Sequence, residues 1–116
     1  MDMKNSEAVL LKGLLEPVIL SYLRGADMHG YQFISTIRRD FHVYFGPSTV
    51  YPALHALEAK GCIKSTWDLS NDRPRKVYEI TLEGERLLGF LESCLGQLSH
   101  KLSMVQTENK PVLVRA

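Results

Sequence analysis

Ser48, Thr49, Tyr51, Pro52 and His55 stand on one side of a short segment whose other side is apolar. Val50, Leu54 and Leu57 recur at i, i+4 and i+7, the spacing of one core-facing helical stripe. A plain surface helix fills its outer face with Lys, Glu and Arg, whereas this one carries short hydroxyls, an imidazole and flat rings. Such side chains suit the base edges of a DNA major groove, and Ser48 and Thr49 can donate to a phosphate beside a helix N-terminus. The plainer alternative is a buried helix whose outer face merely lacks charge. A second cluster follows at Arg73, Arg75 and Lys76, three cations in the four residues 73–76. Charge concentrated at a turn suits phosphate or minor-groove contact, unless it is only a solvated turn. Lys64 lies just beyond the helical segment, where it reaches either a phosphate or solvent.

Other chemistries are missing from the residue pattern. The four histidines are scattered with no i, i+4 ligand pair, so no metal site is expected. No nucleophile stands beside a base, no carboxylates pair at useful spacing and no phosphate loop occurs. Neither an enzyme nor a cofactor is therefore expected. Cys62 and Cys94 match no metal-ligand spacing and read as reduced thiols in a reducing compartment. A chain of 116 residues, 45% hydrophobic and 23% charged, makes one globular domain. Its net charge of +1 supplies no global field, so nucleic-acid binding must come from a local patch. The apolar run at residues 8–11 is too short to span a membrane, and the first residues lack a signal-peptide layout. A cytoplasmic protein without a membrane partner is the expectation.

The elements that must position these residues follow from periodicity. Residues 1–7 are polar and expected to fray. Residues 8–24 carry a broad stripe through Leu11, Leu14, Leu15, Val18, Ile19, Tyr22 and Leu23, with a kink or break predicted near Leu15 because of Pro17. A second helix starts at Asp27 or His29, with Tyr31, Ile34, Ile37 and Phe41 on its predicted core face. His29 and Tyr31 open this helix, where a backbone phosphate commonly passes, but core packing is the expected fate of Tyr31. Residues 42–46 read as a short extended piece. The helix at 48–60 is capped by Ser48 or Thr49, holds Pro52 within about its first turn and stops at Gly61. Residues 63–68 and 75–80 read as strands around the turn Ser70-Asn71-Asp72. A hairpin directly after a helix-turn-helix is a wing. Tyr51 belongs either to the outer contact face or beneath that wing.

Thr81 caps a last helix, with Glu83 and Glu85 in its first turn. Leu88, Leu91, Leu95, Leu98, Leu102 and Val105 step by 3, 4, 3, 4 and 3, a heptad seam narrower than the stripe of an ordinary globular helix. The seam predicts a homodimer, with Leu11 and Leu14 of the first helix completing an interface built on Leu88, Leu91, Leu95, Leu98 and Leu102. Gly89 and Gly96 share one side of this helix, where close approach of another backbone would account for them. The fold class is mainly α with a small β-hairpin: a winged helix-turn-helix DNA-binding domain at 8–80, a C-terminal dimerisation helix at 81–106 and a flexible tail at 107–116.

The stretches His29-Gly30-Tyr31, Ser48-Thr49-Val50-Tyr51-Pro52-Ala53-Leu54, Leu57-Glu58-Ala59-Lys60-Gly61 and Arg73-Pro74-Arg75-Lys76, with Tyr78, Ile80, Thr81 and Gly84, carry a further signal. Together they resemble the PadR family of bacterial and archaeal transcriptional regulators, across about residues 14–88. The resemblance implies a homodimer held partly by the last helix, bound as a repressor to a palindromic operator in double-stranded DNA. In some members an aromatic or drug-like ligand relieves repression. Trp67, the only tryptophan, is the residue to stack on such a small aromatic effector, or else it packs the sheet onto the helices. The last helix is short for the family, which leaves the effector pocket open. The rival reading is a winged helix that binds a partner protein without sequence-specific DNA binding. Arg73, Arg75 and Lys76 favour DNA, since a protein partner gives them no special purpose.

Overall fold

The computed structural model describes residues 3–108. Among them the chain order is α1 (Met3–Gly13), α2 (Leu15–Gly25), β1 (Met28–His29), α3 (Gly30–Phe41), α4 (Pro47–Ala59), β2 (Ile63–Asp68), β3 (Arg75–Ile80) and α5 (Leu82–Glu108). The first helical stretch divides at Leu14, as Pro17 demands. The division puts Pro17 in the first turn of α2, where a missing N–H leaves no helical acceptor unmet. Helix begins already at Met3, so residues 3–7 are ordered rather than frayed; Ala8 and Leu11 anchor the helix by packing onto the core.

The strands form one antiparallel sheet in the order β1-β3-β2. The hairpin register runs from Ile63 opposite Ile80 to Asp68 opposite Arg75, and the short β1 pairs Met28 with Tyr78 and His29 with Val77. That third strand was not legible as a strand, since two residues carry no period. It joins the wing to the start of α3. The core is shared by three helices and the sheet: Ile19 and Leu20 of α2, Phe33 and Ile37 of α3, Val50, Leu54 and Leu57 of α4, and Tyr78 of β3 are nearly inaccessible. Phe33 meets Tyr78 edge-on with ring centroids 6.3 Å apart.

Several expectations need correction. On α3 the buried residues are Gly30, Phe33, Ile34 and Ile37, while Tyr31 and Phe41 are exposed. Period counting alone could not choose between adjacent stripes that both contain Ile34 and Ile37. Residues 42–46 alternate in burial, Val43 and Phe45 in and Tyr44 out, but have no strand partner, and His42 closes α3 in the left-handed region. Helix α4 is capped by Gly46 with Pro47 at its start, not by Ser48 or Thr49, so Pro52 is interior rather than in the first turn. The end of α4 is as expected. Gly61, at φ +75°, donates to Glu58 O, and Cys62 donates to Leu57 O, both at 3.0 Å, forming a Schellman motif.

Helix α5 starts on Thr81. The Thr81 Oγ1 accepts the Gly84 N–H at 3.1 Å and itself donates to Gly61 O at 2.6 Å, while the Thr81 N–H donates to Cys62 O at 3.0 Å. The helix continues through Glu108, beyond the expected end near Gln106; residues 109–116 of the predicted tail lie outside the described residues. Leu88 is 1% exposed and, with Leu11, belongs to the chain's own core, so neither is left for a partner. Leu14 and Leu91 are half-buried, and Leu95, Leu98 and Leu102 are exposed. No neighbouring atom comes within 4 Å of a Cβ built on Gly89 or Gly96, so close approach within the chain does not explain them.

Gly84 does have such a neighbour. A Cβ there would overlap the Cys62 carbonyl and crowd Ile80, and the backbone of the α4–β2 turn cannot yield as a side chain would. Gly84→Ala is expected to lower stability by about 1–3 kcal/mol through overpacking, despite the better helix propensity of Ala. The measurement is urea unfolding followed by circular dichroism; a midpoint equal to or above wild type would contradict the close packing of α5 on that turn.

Candidate nucleic-acid interface

The apolar side of α4 is held in the core, which fixes its other side outward. Ser48, Pro52 and His55 are exposed, and Thr49 and Tyr51 are half-buried. The C-terminal end of α4 is tied to two neighbouring elements. Lys60 Nζ meets Glu16 Oε1 of α2 at 2.7 Å, and the Ser65 hydroxyl of β2 donates to Glu58 Oε2 at 2.7 Å. Tyr51 packs against Gly30 so closely that a Cβ on Gly30 would lie 2.6 Å from its hydroxyl oxygen. Half-buried Tyr51 packs its ring on the start of α3 and lies 6.5 Å from the His55 ring.

Arg73, Arg75 and Lys76 are all exposed at the far end of the hairpin, and Pro74 lies among them. The turn before them is pinned by Asp68, whose Oδ1 accepts the Ser70 hydroxyl at 2.6 Å and the Ser70 N–H at 3.0 Å. These hydrogen bonds, helped by His29 and by the cross-strand Arg75 guanidinium, hold the Asp68 carboxyl down at about 2. His29 links wing to helix. Its backbone N–H donates to Gln32 Oε1 at 2.7 Å, the same oxygen lies 2.7 Å from Nδ1, and Nε2 faces Asp68 Oδ2 at 3.5 Å. That separation is at the outer limit of a hydrogen bond, and Nε2 is buried with no well-formed hydrogen-bond partner.

His29, Tyr31, Tyr51, Trp67, Arg75 and Lys76 line a single cleft of about 320 Å³ between α3, α4 and the wing, with Tyr78 among its walls. The structure therefore brings Tyr51 of α4 together with Arg75 and Lys76 of the wing, while Ser48, Thr49, Pro52, His55 and Arg73 lie outside this cleft. Tyr31 joins them, 69% exposed, contrary to its expected burial. Trp67 does not pack the sheet onto helices; it is 61% exposed on the wing, with Lys76 Nζ 5.6 Å from its ring centroid. Lys64 is already engaged by Glu79 at 3.0 Å across the hairpin. A second cleft, about 340 Å³, brings Lys12 and Gly13 beside Ser48, Thr49 and Pro52. Lys12 carries no signal in the sequence, because only the fold sets the end of α1 against the start of α4.

The sequence pattern of the transcriptional regulator PadR-like family matches residues 19–89. The chain belongs to that family. This PadR-family chain is 32% identical over 85 residues to the transcriptional regulator Rv3488 of Mycobacterium tuberculosis, covering 72% of the chain and 78% of that protein. The crystal structure of a PadR family transcriptional regulator from Eggerthella lenta superposes with a TM-score of 0.79 at 30% identity, covering 92% of this chain and 95% of the other. A PadR-like transcription factor from Bacteroides fragilis gives a TM-score of 0.73 at 25% identity, over 87% and 98% of the two chains. The PadR-type chain is thus a DNA-binding transcriptional regulator with the winged-helix fold and a C-terminal helix. No helix among the described residues is long and apolar enough to cross a membrane.

The Asp68 network has a consequence for acid stability. The folded-state pKa, about 2, lies below the ordinary value of 3.8, so the network's stabilisation is present above pH 3.8 and lost as pH falls toward about 2. Thermal melting of wild type and Asp68→Asn across this range is expected to show the wild type ahead at neutral pH and the two converging near the acid end. A gap that persists unchanged at the acid end would show that Asp68 acts by something other than its charge.

Proposed function

We propose that this PadR-family regulator is a homodimeric, non-enzymatic repressor in the cytoplasm that reads an inverted-repeat operator with α4 and grips the adjoining backbone with its wing. The observation that carries this reading is the convergence of three elements on one face. The start of α3, Tyr51 of α4 and Arg75 and Lys76 of the wing border one cleft, while Ser48, Thr49 and Pro52 of α4 border a second beside Lys12. Ser48, Thr49, Pro52 and His55 are the side chains to meet base edges or the adjacent phosphates, with Tyr51 behind them. Arg73, Arg75 and Lys76 meet the backbone, and Lys64 adds a phosphate contact by exchanging Glu79 for it. Release by a small aromatic effector belongs to the same reading.

The dimer rests on the outer half of α5. Leu98 and Leu102 are 55% and 61% exposed, and Leu95 and Val105 continue the strip along the helix. An apolar strip of this length marks a contact surface, and a two-fold copy covers it with the same strip. Leu14, between α1 and α2, lines one groove with Leu95, and both Leu14 and Leu91 are half-buried. Two α4 helices then stand roughly 34–36 Å apart, which is why the operator is an inverted repeat.

Binding is expected to fall steeply between roughly 50 and 200 mM salt, because phosphate contact releases counterions. The combined change of Arg73, Arg75 and Lys76 to Ala should weaken operator binding and flatten the salt slope while circular dichroism stays unchanged. Equal affinity and slope in the variant would remove the wing from the interface.

Leu98→Asp would bury an unpaired carboxylate at the centre of the dimer contact, at a cost of several kcal/mol. The expected result is a monomer by analytical ultracentrifugation and loss of most operator affinity. A wild-type monomer at micromolar concentration, or a dimeric Leu98→Asp, would end both the dimer and the inverted-repeat reading.

A further inference from the structure

The cleft between α3, α4 and the wing presents more aromatic surface than gripping a phosphate requires. Phosphate oxygens accept hydrogen bonds and attract cations, but they have no use for ring faces. Tyr31 and Trp67 nevertheless stand open beside the half-buried Tyr51, with the buried Tyr78 among the walls of the cleft. Leaving two large rings in water forfeits the burial that such side chains normally contribute. Arg75 and Lys76 line the same cleft, and Lys76 already hovers over the Trp67 ring. The nearby carboxylate of Asp68 is taken up by Ser70 and His29.

Ring faces flanked by cations are the recognition chemistry of a nucleotide, whose base stacks while its phosphate pairs with the charges. A base inside a duplex cannot use them, since its faces are covered by its neighbours and only its edges show in the grooves. The volume of about 320 Å³ is at the small end of ligand-sized sites. It suits one base with its sugar and not a paired stack. We infer that this cleft stacks a single unpaired base of the nucleic acid lying on the reading face, with Trp67 and Tyr31 as the stacking rings and Arg75 and Lys76 holding its phosphate. The inference rests on the proposed DNA-binding reading and adds to it a preference for DNA that offers an unpaired base beside the wing.

Trp67 is the only tryptophan of the chain, so intrinsic fluorescence reports this cleft directly. Full-length protein is titrated with a short oligodeoxyadenylate, an abasic strand of equal length, a perfectly paired duplex, the same duplex with one bulged adenine, and 2-naphthoate. The oligodeoxyadenylate and the bulged duplex are expected to quench Trp67, and the abasic strand to bind without quenching. Trp67→Ala, followed by fluorescence anisotropy of labelled DNA, should weaken oligodeoxyadenylate binding by about 5- to 100-fold while Trp67→Phe retains it. Equal binding of the abasic strand and the oligodeoxyadenylate, together with an indifferent Trp67→Ala, would overturn the inference and leave backbone gripping alone. Quenching by 2-naphthoate but by no nucleic acid would also overturn it and assign the cleft to a small aromatic anion. If the duplex binds and the single strand does not, only the stacking fails; if no DNA binds at all, the DNA-binding reading fails with it.

Discussion

The packing of Tyr51 over Gly30 is the contact on which the arrangement of α3 and α4 depends. Residue 30 is where β1 ends and α3 begins, and it has no side chain to hold α4 away. The phenol ring fills that space, so α4 approaches the start of α3 closely and Tyr51 lines one cleft with the wing. Interiors pack at crystal-like density, and any added atom here must displace the ring. Tyr51 also reaches toward Tyr78 of β3, whose hydroxyl is pushed up in pKa by burial first and by Glu58 and Tyr51 next. One side chain thus sits among α3, α4 and the sheet.

Wing orientation depends on a second, smaller device. A free two-stranded hairpin is only marginally stable and would swing about its base. Here β1 adds two residues to the edge of β3, and His29, at the end of β1, faces Asp68 near the tip of β2. The cations at residues 73–76 are carried by this braced hairpin. With a net charge of only +1, their value comes from being concentrated and held, not from the field of the whole chain.

Helix α5 divides its work along its length. Its first turns, with Gly84, Leu87 and Leu88, complete the core of the winged helix, and Arg24 of α2 pairs with Glu92 at 3.0 Å. Past Leu91 the helix leaves that core while its apolar seam continues. A seam that outlasts its own core leaves an apolar strip exposed, and on that strip the proposed dimer rests.

Long periodic segments were legible in the sequence alone. The stripe Val50, Leu54, Leu57, the helix-ending glycine at 61, the Thr81 cap and the two strands of the hairpin all follow from local chemistry, which acts within one or two turns of chain. The outward residues of α4 were legible for the same reason, since fixing the buried stripe fixes its opposite. The fold decided what depends on neighbours remote in sequence. Tyr31 points outward because Phe33 rather than Tyr31 meets Tyr78; β1 exists because β3 offers it an edge; Leu88 is core because α2 lies against it. Trp67 faces the cleft and not the helices because of the wing's placement, and Lys12 stands beside Thr49 only because α1 ends there. Spacing along a chain determines which side chains share a face, but only packing between elements determines what each face meets.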